Sequence, residues 1–429
     1  MEYYGHRLIE DADGPRATSG QRGRRRQRFM KKSWMVDRVG FRVAGVLILG
    51  LLVAGLVTAP TVHAAPAGAI TITGCALDKA ITAANQGSTI GTGCIFSGAG
   101  APYLFTLTGD LALVTNLPTV TSNIVVKTNG ATYLIEQRNT DAEFVFRVGP
   151  AGNLTLSKIH VTGPGGNADG IEVDAGGALT LADSVLDNLI FGVVVTGTAS
   201  IRNTTIAHTG LGVWARSGST EIINSTISNN QGIGLYIDAA ASLTLSFSTV
   251  AYNGGPGLDI VGRVVVDTSL FDQNSVNCQV RGGQLTSTGY NLEAIGDTCH
   301  FSAIGDLVGV PAIGVGGVNL DPELRPYTHA LLIDSVAIDR VQVGTYGCVA
   351  GGSADGRGHV RAGQRVVGDQ RGGLACDVGA YEFDSTQTLS AVTVTRLQAE
   401  STTVWAMPGL LAAACVTIGG WVALRRYRS

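Results

Sequence analysis

The chain has 429 residues, of which 45% are hydrophobic and only 15% charged, and its formal net charge is −3. The high hydrophobic content excludes a disordered chain, and 59 glycines argue against a helical bundle. Residues 65–424 hold 16 basic and 28 acidic side chains, so this part is near −12. We therefore expect no nucleic acid as a partner, because such binding needs clustered Lys and Arg.

The amino end has the order of a secretory signal. Eleven Lys or Arg precede an apolar run at residues 43–57, and "TVHAAPA" then offers a cleavage site near Ala64 or Ala65. This order predicts a signal peptide over residues 1–65, with Met30 as an alternative start. An uncleaved membrane helix is the competing interpretation, and in both cases the positive charge holds the amino end in the cytoplasm.

Residues 66–150 are expected to form an amino-terminal cap and the first turns of a repeat. In "CALDKAITAANQG", four apolar residues share one helical face: Leu77, Ala80, Ile81 and Ala84. The pattern predicts a short amphipathic helix that ends at Gly87.

A repeat of about 20 to 25 residues fills residues 151–300. One series of segments places an apolar anchor at Leu156, Leu181, Ile201, Ile222, Leu245 and Val266. A second series, glycine followed by an alternating triplet, begins at Gly170, Gly192, Gly212, Gly234 and Gly257. Each unit therefore holds at least two short strands joined by Gly and Asn turns, with no segment long enough for a helix.

Such a small unit has no core of its own, so stacking must supply it. We predict an all-β fold, a right-handed parallel β-helix. One interior column is predicted at Ile171, Val193, Val213, Leu235 and Leu258, and an Asn ladder near the corner after the first strand at Asn188, Asn229, Asn253 and Asn274. A leucine-rich horseshoe lacks its spacing here, and a β-propeller would need about twice this period.

The carboxyl end is divided into an irregular cap at 301–384, a linker at 385–403, a membrane helix at 404–424 and a cytoplasmic basic tail at 425–429. The membrane helix is predicted from about twenty apolar residues with Trp405 and Trp421 near its edges, followed by an arginine cluster. A buried core helix is the alternative. The prediction is a single-pass cell-membrane protein with an extracellular ectodomain, anchored in the lipid bilayer.

Six of the seven cysteines fall outside the predicted membrane helix, which contains Cys415. Proximity in sequence favours disulfides of Cys75 with Cys94, Cys278 with Cys299, and Cys348 with Cys376. Each would close a loop worth roughly 3 to 4 kcal/mol. Metal binding is the alternative, but no CxxC or HxxxH spacing occurs.

Two stretches resemble known bacterial surface families. The segment at residues 70–88 is similar to the amino-terminal segment of proteins named for the letters CSLREA. Further on, "THALLIDSVAID", "GDQRGG" and "CDVGAYEF" resemble the end of the choice-of-anchor Q family, over residues 275–384. The resemblance implies a right-handed β-helix followed by a surface-anchoring tail, and it implies no activity.

One outward column suggests a ligand-binding surface. Its residues are Glu172, Val194, Trp214, Tyr236 and Asp259. Trp214 and Tyr236 on neighbouring turns predict a flat aromatic platform for an extracellular glycan, with the acids accepting sugar hydroxyls. We expect Ala at both aromatic positions to abolish binding with little change in melting.

No pair of acids on neighbouring turns suits glycoside hydrolysis, so no catalytic residue is predicted. Asp169, Glu172 and Asp174 form the one dense acidic group and predict a Ca²⁺ site; a solvated acidic turn is the alternative. No other cofactor is expected. We interpret the protein as a surface scaffold that binds glycans or other ligands. A polysaccharide lyase or glycoside hydrolase and purely structural surface material are the other hypotheses.

Overall fold

The computed structural model describes residues 68–140, 142–163, 168–310, 315–318, 327–332, 334–345, 347–348 and 375–382. The predicted signal peptide, linker, membrane helix, basic tail and Cys415 lie outside these residues. Among the helices that the structure describes, none is both long and apolar enough to cross a bilayer.

The described chain forms a right-handed parallel β-solenoid with three faces. The first face contains Ile70–Thr73, Tyr103–Leu107, Asn123–Thr128, Asn153–Ser157, Ala178–Ala182, Thr198–Arg202, Arg263–Asp267 and Gln284–Gly289. The second contains Leu111–Leu113, Tyr133–Gln137, Ile159–Thr162, Val185–Asp187, Thr205–Ala207, Thr226–Ser228, Thr249–Ala251, Leu270–Asp272, Leu292–Ala294 and Leu307–Val310. The third contains Phe144–Val148, Asp169–Val173, Phe191–Val195, Pro256–Ile260 and Val276–Val280.

Two long strands turn the corner from the third face to the first. Leu211–Ile223 and Leu235–Ser246 pair with third-face strands through their first residues and with first-face strands through their last. Three short antiparallel pairings complete the described strands. They involve Ile95–Ser97 against Ile70–Thr73, Val315–Val318 against His329–Leu331, and Val341–Gln342 against Ala375–Cys376, all antiparallel.

The predicted interior column is confirmed, and the predicted apolar anchors form a second one. The anchors from Leu156 to Val266 pair turn by turn on the first face, and each is fully buried. The column from Ile171 to Leu258 does the same on the third face. Apolar residues stacked at about 4.8 Å therefore form one continuous core along the solenoid.

A repeat contains three strands, because a corner divides the segment predicted as one anchor strand into two strands. In the repeat that begins with Asn153–Ser157, Lys158 separates two strands and has a left-handed φ of 59°. Asp183 and Asn203 take the same conformation one and two turns later. The left-handed residue redirects the chain from the first face to the second, a bend that the alternating pattern did not reveal.

A hydroxyl ladder follows this corner. The side-chain oxygens of Ser225, Ser248 and Ser269 each accept a backbone N–H from the preceding turn, at 3.2 Å. Each hydroxyl also donates to the carbonyl two residues earlier. These buried serines therefore satisfy backbone groups that a sharp bend would leave unpaired.

The predicted Asn ladder exists but lies at the next corner, after the second face, and includes Asn230 rather than Asn229. Asn230, Asn253 and Asn274 are linked by amide-to-amide hydrogen bonds of 2.9 and 2.8 Å. Asn229 has a left-handed φ of 53° and forms the bend itself. Asn188 is likewise left-handed, so its prediction as a ladder member is wrong.

Glycines form the third corner, between the third and first faces. Its column is Gly152, Gly177, Gly197, Gly218, Ala241, Gly262 and Gly283. A Cβ atom at Gly218 would lie 1.9 Å from the carbonyl oxygen of Gly197. The turns approach each other too closely here for most side chains, which explains part of the high glycine content.

The amino-terminal cap helix is confirmed at Leu77–Gln86, and Gly87 ends it with a left-handed φ of 61°. The predicted apolar face, from Leu77 to Ala84, is buried against the solenoid. Asn85 fixes the helix in place, since its amide donates to the carbonyl of Thr119 at 2.7 Å.

The described carboxyl-terminal residues pack on the second face. Leu331, Val341 and Val378 join an apolar cluster with Leu270 and Leu292 of the solenoid. All three predicted disulfides are confirmed, Cys75–Cys94, Cys278–Cys299 and Cys348–Cys376. The first and second bridges lie near the two ends of the solenoid, and the third lies within the carboxyl-terminal cap.

Candidate functional site

The predicted outward column is assembled on the third face. Glu172, Val194, Trp214, Tyr236 and Asp259 pair with one another in register over five successive turns. We call this column, together with the charged and aromatic side chains beside it, the third-face strip. The added residues are Phe144, Arg147, Asp169, Asp174, Phe191, Arg216, Asp238 and Arg281.

Three aromatic rings follow one another along the strip. The ring centroids of Phe191 and Trp214 are 5.5 Å apart and nearly perpendicular, at 65°. Those of Trp214 and Tyr236 are 6.0 Å apart with an angle of 37° between the planes. The structure therefore brings the predicted aromatic pair together, but as a tilted pair and not as the flat platform expected from the sequence.

Trp214 is fixed in position by polar neighbours. Its indole Nε1 donates a hydrogen bond of 2.8 Å to Asp238 Oδ2, and the Arg216 guanidinium lies 4.0 Å from the ring centroid. These contacts contribute to stability as well as to any binding surface. We therefore expect Trp214→Ala to lower the melting temperature, whereas the sequence pattern alone predicts little change for Ala at both aromatic positions.

Arginines stand over aromatic rings at intervals along the strip. Besides Arg216, Arg147 lies 5.5 Å from the centre of the Phe144 ring, and Arg281 lies 5.6 Å from that of Tyr236. These arginines were not predicted from the sequence, because the predicted column contains only the central outward position of each turn. Arg147 is the column position one turn before Glu172. Arg216 and Arg281 each lie two residues after the column position of their own turn, Trp214 and Gln279.

The acids at the two ends of the predicted column are held by these arginines. Asp259 is only 2% exposed, and Arg281 donates to both of its carboxylate oxygens. Glu172 lies between two guanidinium groups, 3.7 Å from Arg147 Nε and 3.8 Å from Arg216 Nη1. Asp259 thus orients Arg281, whose side chain is 48% exposed and faces solvent, and is itself withdrawn from a ligand.

The remaining acids of the predicted Ca²⁺ group have different environments. Asp174 accepts two hydrogen bonds from Arg147, at 2.9 and 3.1 Å, and this contact raises the pKa of the guanidinium. Burial raises the pKa of Asp169 to about 7, against a backbone hydrogen bond from Phe191 that lowers it. Within the described ranges, no group of three or more His, Cys, Asp or Glu side chains is arranged to hold a metal. The Ca²⁺ site stays a prediction.

The described carboxyl-terminal cap forms hydrogen bonds with the second face of the solenoid. Thr205 Oγ1 donates to the carbonyl of Tyr327, Thr226 bonds with Thr328, and Thr249 Oγ1 accepts from the backbone N–H of Ala380. All three threonines belong to the second face. The described cap therefore occupies a different side of the solenoid from the predicted ligand-binding residues.

Comparisons with known proteins concern the fold. A family model described as "Right handed beta helix region" matches residues 150–303, and no curated protein matches the sequence. The crystal structure of Dettilon tailspike protein is similar with 11% identity and a TM-score of 0.26, covering 49% of this chain and 52% of that one. The crystal structure of pectate lyase Pel9A is similar with 14% identity and a TM-score of 0.27, covering 66% and 88%.

The chain spans about half of the tailspike structure that it matches. Identities and TM-scores this low carry no argument about activity. The family match and the three-faced parallel solenoid agree with the predicted architecture. The chain is therefore an all-β, right-handed parallel β-helix repeat protein.

Proposed function

We propose that this protein is a bacterial cell-surface scaffold that binds a glycan along the third-face strip. The observation that carries the proposal is the succession of Phe191, Trp214 and Tyr236 on three neighbouring turns, each ring partly exposed. The C–H face of a pyranose ring is apolar and slightly positive, so it stacks on the negative face of an aromatic ring. Strands fixed by a continuous core hold these rings without further ordering cost.

The fixed charges of the strip favour recognition by stacking and hydrogen bonding over charge attraction. Arg147 is paired with Asp174, and Arg281 with Asp259, so much of the charge cancels locally. Binding is therefore expected to weaken little when salt rises from about 50 to about 300 mM, since screening acts on net charge.

The location at the cell surface is part of the same proposal. It rests on the predicted signal peptide at 1–65, the predicted membrane helix at 404–424 and the resemblance to CSLREA and choice-of-anchor Q proteins. Protease treatment of intact cells should remove the repeat region. Survival of that region in intact cells but not in lysed cells would contradict the location.

The direct test is a glycan array probed with the full chain and with Tyr236→Ala. Tyr236 is half-buried on the surface, so the substitution removes a stacking ring at a modest cost in stability. We expect the affinity for the selected glycan to fall at least tenfold, measured by calorimetric titration.

Tyr133→Ala is the matched control, because Tyr133 is also a half-buried tyrosine on a strand but lies on the second face. It should bind as the wild type does. Equal affinities of both variants and the wild type would show that the strip is not the binding surface.

A polysaccharide-cleaving enzyme is the second candidate, favoured by one observation. Asp169, whose pKa burial raises to about 7, starts the same strand that carries Glu172 between two arginines. Two carboxyl groups in such different environments are typical of an acid and a base. The test is release of reducing ends or unsaturated products from the array's selected glycan, with Asp169→Asn as the variant. If the wild type binds the glycan and releases no product, the enzyme hypothesis is excluded and the scaffold hypothesis is retained.

A further inference from the structure

The first face carries a groove that is separate from the third-face strip. The groove has a volume of about 370 Å³ and runs along the solenoid axis over several turns. Its floor is one column of outward side chains that pair in register: Thr180, Ser200, Glu221 and Thr244. Asn153, Thr198, Ser219 and Ser242 form one side. This volume lies in the range of small-ligand sites.

Hydroxyl groups in the groove retain unused hydrogen-bonding capacity. Within the part of the chain that the structure describes, the hydroxyls of Thr180, Ser219 and Thr244 bond to no other residue. On the third-face strip, in contrast, Trp214 and Asp259 already have protein partners. Each free hydroxyl can both donate and accept, so the groove complements a ligand that carries both functions.

The residues that line the groove disfavour anionic chains and hydrophobic peptides as ligands. Glu221 is the one carboxylate among the described residues that line the groove, and Arg202 donates a hydrogen bond to it. Among the described residues, no Lys or Arg lines the groove, so an anionic chain would find no unpaired cation there. The described lining also contains no aromatic and no large exposed apolar side chain, which disfavours a hydrophobic peptide.

We propose that this groove binds a segment of a neutral polysaccharide, lying along the solenoid axis across successive turns. The stacked turns repeat the hydroxyls at about 4.8 Å, so one chain can bond to several turns in the same way. Individual contacts of this kind are weak, and a chain that spans the groove sums them.

The groove and the strip are connected by the same strands. Leu211–Ile223 carries Trp214 on the third face and Glu221 on the first, and Leu235–Ser246 carries Tyr236 and Thr244 in the same way. A rigid body with ligand sites on two adjacent faces can hold two glycan chains at once. The protein would then cross-link two glycan chains. Binding of a glycan in the groove does not depend on binding at the strip.

Affinity electrophoresis tests the groove with the full chain in native gels that contain dextran, galactomannan or hydroxyethyl cellulose. The measurements are made with Tyr236→Ala, so that the strip contributes little. We expect at least one polymer to slow this variant. Adding Thr180→Val and Thr244→Val should reduce the retardation at least fivefold, because valine keeps the shape and strand preference of threonine but has no hydroxyl.

Thr286→Val is the matched control, an exposed threonine on the first face beyond the groove, and it should leave retardation unchanged. Ser219→Ala is a second, smaller groove variant, expected to weaken retardation by itself if the double change lowers the melting temperature. Absence of retardation by all three polymers would overturn the proposal. So would full retardation of both groove variants. Loss of array binding in Tyr236→Ala with retardation intact would separate the two sites.

Discussion

Thr220 places a hydroxyl among the apolar side chains of the core. It pairs in register with Ala199 and Leu243, is 2% exposed, and its Oγ1 bonds to no other described residue. An unpaired buried hydroxyl is destabilising. We expect Thr220→Val to raise the free energy of unfolding by about 1 kcal/mol in urea denaturation. A lower stability would show that the hydroxyl has a partner such as a buried water.

Asp272 makes stability depend on pH. Burial raises the pKa of this carboxyl to about 6, although a backbone hydrogen bond from Gln273 lowers it, and the residue is 3% exposed. Because the folded-state pKa exceeds the unfolded value of about 3.9, the favourable contribution of the protonated form is complete below about pH 4. It is lost as the pH rises through about 6.

Asp272→Asn removes this titration. The variant should be more stable than the wild type at pH 8, by about 2 kcal/mol, and nearly equal to it at pH 4. Urea denaturation at both pH values measures the difference. The same change in unfolding free energy at pH 4 and pH 8 would contradict the role of this carboxyl.

The Asn ladder stabilises the corner between the second and third faces. Asn253 accepts from the Asn230 amide at 2.9 Å and donates to the Asn274 amide oxygen at 2.8 Å. It is 2% exposed, and its side chain also accepts from the backbone N–H of Asn230 and donates to the carbonyl of Ile227, so its loss removes several buried hydrogen bonds at once. We predict that Asn253→Ala destabilises the chain by about 3 kcal/mol. Asn123→Ala, an exposed strand position, serves as the control and should cost far less.

Each turn of the solenoid contacts only the turns next to it, so a local loss of stability should be confined mainly to neighbouring turns. The Cys278–Cys299 bridge closes the last complete turn over 21 residues. Replacing both cysteines with alanine should destabilise this end by about 3 kcal/mol. Hydrogen exchange should accelerate in residues 276–310 and much less near Leu156. Uniform acceleration along the chain would mean that the solenoid unfolds as a single unit.

The sequence alone determined the architecture, because periodicity is a local property of the chain. Glycine and apolar anchors that recur every 20 to 25 residues require short stacked strands, and the columns through Leu156 and Ile171 follow from counting. The cap helix and the three disulfides were predicted for similar local reasons. The Asn ladder was misplaced by one residue at Asn229, because two adjacent asparagines fit the pattern equally well.

The tertiary structure decided which charges meet and which hydroxyls stay free. Arg216 reaches Glu172 from two turns away, and Arg281 withdraws Asp259 from solvent. These contacts depend on the direction of side chains at the corners. The corner between the first and second faces is formed by a left-handed residue, and its amino-acid type differs from turn to turn, as Lys158, Asp183 and Asn203 show. A repeat therefore specifies the register of the strands, whereas the chemistry of each face depends on corner geometry that the repeat does not encode.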